Sequence, residues 1–165
     1  MQKVTGKQEN SKMCFVCGLK NSYGLKAQFY ETENEEIVAI FKGEEEHQGY
    51  PGRLHGGIAA SILDETIGRA INIKSDDELW GVTLELKVKY KKPIPLGVDL
   101  KVFGRLSRVD KRLFKGTGEI INPDGEIAAT AEGLYMKLPL DRIADFDRDE
   151  NEWKVIKSDS DPTEV

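Results

Sequence analysis

The chain of 165 residues has only two cysteines, Cys14 and Cys17, so a disulfide framework cannot hold its fold together. It also lacks any apolar run near the roughly 18 residues that a membrane-crossing helix requires. The opening stretch, Met1 to Asn10, has neither the basic nor the apolar region of a secretory leader. The expectation is therefore a cytoplasmic protein with no membrane partner. An excess of positive charge is missing too, since 29 acidic side chains outnumber 24 basic ones for a formal net charge of -5. Such a balance argues against a nucleic-acid partner, because that binding rests on a basic footprint. Gly 16 and Pro 6 are too ordinary for a collagen-like or low-complexity chain, and 39% hydrophobic residues are enough for one core. Length and composition together predict a single soluble globular domain.

The acidic charge is concentrated at one end. From Asp141 to Val165 nine acidic side chains face four basic ones, and this stretch accounts for the whole -5. Ile143, Phe146, Trp153, Val155 and Ile156 stand among those charges. The tail is thus expected to dock partly, through a short helix, before fraying from Ser158 to Val165. The chain divides into an N-terminal loop over 1–25, a folded domain over 26–138 and an acidic tail over 139–165, with no internal repeat.

Hydropathy periodicity sets the element order. Lys26 to Glu31 and Glu36 to Gly43 read as two strands joined by a polar connection. Gly49-Tyr50-Pro51-Gly52 is a turn, and from His55 to Asn72 the apolar spacing becomes helical. Ile58, Ala59, Ala60, Ile62, Leu63, Ile67, Ala70 and Ile71 cover more than half of that helix's circumference, which predicts burial on several sides. Four β-rich segments follow, Trp80 to Lys91, Val98 to Val109, Arg112 to Ile121 and Glu126 to Lys137. In the first, Val82, Leu84, Leu86, Val88 and Tyr90 alternate with polar residues, the pattern of a strand with one face on a core. Asn122-Pro123-Asp124-Gly125 marks a hairpin turn. The order β-β-α-β-β-β-β predicts an α+β fold whose antiparallel sheet curls around one long helix.

Three groups of residues suggest chemistry. Cys14-Phe15-Val16-Cys17 has the spacing of half a zinc site or of a redox pair. A redox pair should open a helix, yet the turn residues Asn21, Ser22, Tyr23 and Gly24 follow. Two chains pooling their cysteines, or His47, would complete a zinc site. Without such ligands the motif reads as a packed loop, and no metal is assigned. The second group is His55-Gly56-Gly57 at the helix start, where adjacent glycines leave backbone N–H groups open to an anion or to a developing oxyanion. The third is Asp64, nine residues after His55 at the border of the apolar face. Glu65 falls farther round, where it can pair with Arg69 at i+4 and is assigned a solvated role. Gly57, Ser61, Asp64 and Gly68 form a strip of small residues around the Asp64 carboxylate, wide enough for a thin substrate or a second subunit.

His55-Gly56-Gly57-Ile58-Ala59-Ala60-Ser61-Ile62-Leu63-Asp64, followed by Thr83-Leu84-Glu85-Leu86-Lys87-Val88-Lys89-Tyr90, resembles the hotdog-fold acyl-CoA thioesterases of the PaaI-like, phenylacetic acid degradation type, family. The resemblance extends over about residues 14 to 138. It implies a hotdog domain, a curved antiparallel sheet wrapped around the helix, that hydrolyses an acyl-CoA to free acid and coenzyme A. It further implies Asp64 as general base or nucleophile, with water attack favoured, the Gly56 N–H as oxyanion donor and His55 as the residue shaping that turn. Thr83 would orient the acid or the water, although strict alternation turns it away from the Leu84 face, so a bulge is required. Many family members carry Asn six residues before the motif histidine. Gly49 stands there in this chain, and Gln48 is the substitute amide. Gly57 and Ser61 would line the substrate groove, while Arg53, Lys91, Lys92 and Arg105 are candidates for the phosphates of coenzyme A. The resemblance implies no metal or prosthetic group, coenzyme A entering as part of the substrate. It also implies a homodimer or homotetramer with the site shared between subunits. The rival readings are a non-enzymatic acyl-CoA sensor and a hotdog hydratase or dehydratase using His55 and Asp64.

Overall fold

The computed structural model describes residues 1–73 and 78–165. Seven strands form one antiparallel sheet in the order β1-β2-β3-β5-β6-β7-β4. They are β1 (Val4–Lys7), β2 (Gln28–Thr32), β3 (Ile37–Lys42), β4 (Leu79–Tyr90), β5 (Asp99–Val109), β6 (Leu113–Ile121) and β7 (Ile127–Pro139). Helix α1 (Gly56–Arg69) runs on into a 3-10 turn over Ala70–Ile73, and a one-turn helix α2 (Leu140–Ile143) follows β7. The expected β-β-α-β-β-β-β order and the hotdog architecture are therefore present, with one strand added in front.

That extra strand corrects the reading of 1–25 as a loop. β1 pairs with β2, with Gly6 opposite Glu31 and Lys7 opposite Tyr30. Four mixed residues give no usable alternation, which is why the strand is invisible before its partner is known. The end of the chain corrects a second expectation. Gln2 and Val165 exchange backbone hydrogen bonds of 2.7 and 2.9 Å, the Val4 N–H donates to the Thr163 carbonyl, and Lys7 pairs with Asp161 at 2.6 Å. Ser158 to Val165 is thus held along β1 instead of fraying.

Helix α1 lies across β3 to β7 and buries Ala59, Ile62, Leu63, Thr66 and Ile67 completely. Close approach of helix and sheet is made possible by glycine in the middle of β5 and β6. A Cβ at Gly104 would stand 2.7 Å from the Thr66 carbonyl oxygen, and one at Gly116 would stand 2.5 Å from Ile67 Cγ2. Phe29, Ile37, Leu100, Val102, Phe114 and Ile120 complete the fully buried core from the sheet side.

β4 forms an edge of the sheet and departs from simple alternation. Its register against β7 shifts between Thr83 and Glu85, which leaves Leu84 as the extra residue of a bulge and half exposed. Val82 and Leu84 therefore do not share the core face of Leu86 and Val88, as the pattern suggested. The bulge switches faces once, so that Thr83 before it and Leu86 and Val88 after it all turn toward the helix.

Candidate active site

Two ends of α1 carry the candidate residues. At the start, His55 is the N-cap in an extended conformation, and its Nδ1 accepts the Gly57 N–H at 2.9 Å. The Ile58 and Ala59 N–H groups both donate to the His55 carbonyl at 3.0 Å. Among the first four N–H groups of the helix, that of Gly56 has no hydrogen-bond partner among the described residues. It is an available donor at the positive end of the helix dipole. The Tyr90 hydroxyl, at the end of β4, donates to the Gly56 carbonyl at 2.6 Å and fixes this peptide.

A little over two turns beyond Gly56, Asp64 is half-buried and faces two hydroxyls. Thr83 Oγ1 donates to Asp64 Oδ1 at 2.8 Å, and the Tyr135 hydroxyl lies 3.1 Å from the same oxygen and 3.0 Å from the Asp64 carbonyl. Both contacts converge on Oδ1 and leave Oδ2 without a partner among the described residues. Burial pushes the Asp64 carboxyl above the ordinary carboxylate range; the two hydroxyls pull it back and the Glu65 charge adds to the rise. Burial, reinforced by the Asp64 charge, raises the Tyr135 phenol as well, so it stays a protonated donor.

Tyr135 is the main site residue that the sequence reading missed. On β7, Ala129, Ala131, Gly133 and Tyr135 alternate toward the helix, a run of small residues ending in one large polar ring. The ring stacks on Phe114 with centroids 4.9 Å apart. A Cβ at Gly133 would fall 2.3 Å from it, and one at Gly68 would fall 3.2 Å away. Gly68 is consequently roofed by Tyr135, and the strip of small residues proposed from the helical wheel is open only over Gly57, Ser61 and Asp64. Ser61 turns its hydroxyl back to the Gly57 carbonyl at 2.9 Å.

Glu65 does not take a solvated role. Its side chain is 20% exposed, and it pairs with Arg69, which is 3% exposed, through Nε at 3.0 Å and Nη2 at 2.7 Å. The i+4 partner was correct and the environment was not. Burial alone would weaken the Arg69 charge, but the Glu65 carboxylate more than offsets it and the guanidinium stays protonated. Arg69 also donates to the Glu9 carbonyl at 3.0 Å and lies over the Phe29 ring at 4.1 Å.

A cleft of about 280 Å³ joins Asp64, Thr83 and Tyr135 to Cys14, Cys17, Glu65 and Arg69. Leu140 and Ile143 of α2 and Trp153 of the tail close its apolar side, where Trp153 meets Trp80 edge-on at 4.9 Å. The acidic tail thus supplies apolar wall to the cleft. His47 is not available to the cysteines. Its Nδ1 accepts the Glu44 N–H at 2.9 Å and its Nε2 lies 2.7 Å from the Tyr23 carbonyl, so both ring nitrogens are engaged.

The remaining candidates divide by place. Arg53, Lys91 and Lys92 are exposed around the start of α1, Lys92 being paired with Glu126. Arg105 is held on the sheet by Glu36 and by a bidentate pair to Glu119 at 2.6 and 2.7 Å, and is removed from the phosphate candidates. Gln48 is exposed in the turn that pairs it with Leu54, and its amide has no hydrogen bond among the described residues. Gly49 lies against His55, where a Cβ would come within 3.2 Å of the His55 Cα.

Residues 51–129 match the family model described as the thioesterase superfamily. The matched stretch is just under half of the chain. The Rattus norvegicus protein named acyl-coenzyme A thioesterase THEM4 is 33% identical over 130 residues, which are 78% of this chain and 55% of that protein. The chain thus spans about half the length of curated relatives of this type. A crystallised thioesterase superfamily protein matches with a TM-score of 0.66 and 29% identity, over 74% of this chain and 59% of its own. A Bacillus halodurans protein crystallised with CoA has the same fold, with a TM-score of 0.62 and 24% identity over 69% of this chain and 75% of its own. In the domain described above, α1 carries both the Gly56 N–H, unpaired among the described residues, and the Asp64 carboxylate. No described helix is long and apolar enough to cross a membrane.

Proposed function

We propose that this domain hydrolyses acyl-CoA thioesters, with Asp64 as the general base. The observation that carries this reading is the Asp64 carboxylate itself. It is half-buried, made more basic by that burial, and anchored through one oxygen by Thr83 and Tyr135 while the other faces a cleft. A carboxylate of raised basicity takes a proton from water more readily than an exposed one. The water oxygen bonds to the thioester carbon, and the carbonyl electrons move to oxygen. The resulting oxyanion is held by the Gly56 N–H at the helix N-terminus. Collapse breaks the carbon–sulfur bond, and the proton on Asp64 passes to the departing thiolate. The products are a free acid and coenzyme A, with no metal or prosthetic group in the reaction.

Gly56 and Asp64 of one chain do not act on one thioester. Eight residues of helix separate them by about 12 Å, whereas the carbonyl and the attacking water occupy adjacent positions. The reading therefore includes a homodimer, alone or within a homotetramer, in which Asp64 of one chain works with Gly56 of a second. The long edge strand β4 is suited to such pairing, since no strand among the described residues pairs with its outer edge. Arg53, Lys91 and Lys92 lie at the Gly56 end, where they would meet the phosphates of coenzyme A, and the groove past Gly57 and Ser61 would take the pantetheine arm. The names of the relatives and the CoA-bound neighbour support the same substrate class.

The test is thiol release from a panel of acyl-CoAs, acetyl to palmitoyl and phenylacetyl, by the wild type and by Asp64→Asn. Turnover of at least one member is expected, lowered on the order of a thousandfold in the variant with binding retained. Its pH profile should rise through a pKa above the usual carboxylate range, because only the ionised Asp64 accepts the proton. Hydrolysis retained by Asp64→Asn would overturn the assignment. Binding without turnover would replace it with a sensor, and hydration of crotonyl-CoA would replace it with a hydratase.

A further inference from the structure

The Cys14-x-x-Cys17 pair is not accounted for by thioester hydrolysis, yet it stands in the same cleft. Both cysteines are free. Folding brings the Glu65 carboxylate to them, and the ligand atoms of Cys14, Cys17 and Glu65 all lie within 4.8 Å of one another. The first sulfur is set up by the backbone, because the Cys17 N–H points at Cys14 Sγ at 3.4 Å. Ser11 holds the turn from the other side, its Oγ accepting the Cys14 N–H at 3.3 Å and lying 3.5 Å from Cys17 Sγ. Gly18 closes it, since a Cβ there would meet the Cys14 carbonyl oxygen at 2.4 Å. Glu65 is likewise preset, with one oxygen on Arg69 and the other 3.4 Å from Cys14 Sγ.

We propose that Cys14, Cys17 and Glu65 form a site for a soft divalent cation, Zn²⁺ by its ligand chemistry, which ties the N-terminal turn to helix α1 beside Asp64. Two thiolates and one carboxylate are a donor set that Zn²⁺ accepts in tetrahedral geometry, the fourth position going to a water from the cleft. Charge agrees with this assignment. When a metal displaces both thiol protons, Cys14, Cys17 and Glu65 against Arg69 carry two net negative charges, and a divalent cation cancels them. The third ligand could not be found by spacing, since Glu65 follows Cys17 by 48 positions and belongs to another element.

Cobalt titration of the reduced 165-residue chain tests the site, Co²⁺ serving as the coloured probe and Zn²⁺ as competitor. One ion per chain with thiolate-to-cobalt absorption is expected, displaced by Zn²⁺. Binding should be lost in Cys14→Ser and in Cys17→Ser, and weakened roughly tenfold or more in Glu65→Gln, the scale of even an outer-shell loss. Because Glu65→Gln also removes the partner of a buried arginine, X-ray absorption of the zinc-loaded wild type gives an answer free of mutation, with two sulfur and two lighter donors expected. No cobalt absorption, a four-sulfur shell at half an ion per chain, or unchanged affinity in a folded Glu65→Gln would each overturn the proposal.

Discussion

The two ends of helix α1 are built to opposite rules. Its first turn is open, with His55 and Gly57 exposed, the Gly56 N–H unpaired among the described residues, and the peptide between Gly56 and Gly57 held by two side chains, His55 Nδ1 accepting its N–H and the Tyr90 hydroxyl donating to its carbonyl. Its last two turns are closed, with Thr66 and Ile67 pressed on sheet glycines, Gly68 under an aromatic ring and Arg69 buried against Glu65. The difference teaches where the helix gets its stability and where it keeps its chemistry. Packing at the closed end fixes the helix on the sheet. The open end can then leave a donor unsatisfied, at a cost the packing offsets. Asp64 lies at the border between the two, buried enough to gain basicity and open enough to meet water.

The largest expected break in this comparison comes from the closed end. Arg69→Met leaves Glu65 half-buried without its cation, and loss of about 3–5 kcal/mol is expected in urea unfolding. Next is the border. Tyr135→Phe removes a hydrogen bond to a charged group, so transition-state stabilisation should fall by about 1.5–3 kcal/mol in kcat/KM. The sign of its pH effect is fixed, since that hydroxyl pulls the Asp64 pKa down. Without it the acidic limb of the profile should move to higher pH, whereas a purely structural role would leave the limb in place. A paired substitution then sharpens the contrast. Gly104→Ala places a methyl group against the Thr66 backbone and should cost about 1–3 kcal/mol. Gly56→Ala meets only Tyr90 at 3.5 Å and should stay within about 0.5 kcal/mol in thermal unfolding. Equal costs at Gly56 and Gly104 would show that the open end is packed after all.

Periodicity carried most of the fold. The helix and six of the strands follow from alternation, helical spacing and turn residues, because each of those elements has its own face to bury. β1 does not, since four residues contain too little pattern and are ordered only by pairing to β2 on one side and lying beside the chain's end on the other. At the site, His55, Gly56 and Asp64 were legible because they lie on one helix, where spacing is geometry. Thr83 was legible only with a bulge assumed, and the bulge is there. Tyr135, the burial of Glu65, and the meeting of Cys14 and Cys17 with Glu65 were not legible.

The sequence by itself determined the helix and the strands β2 to β7, which face of α1 is apolar, and that a carboxylate stands two and a half turns beyond a histidine followed by two glycines. These are local properties, written in a period of two or of 3.6 residues. Only the tertiary structure decided which hydroxyls meet Asp64, that Arg69 is buried with Glu65, that the acidic tail walls the cleft, and that two cysteines share that cleft with a carboxylate. Those contacts join positions tens of residues apart, and their existence depends on how a bulge, a curved sheet and a row of glycines bring separate elements to one place.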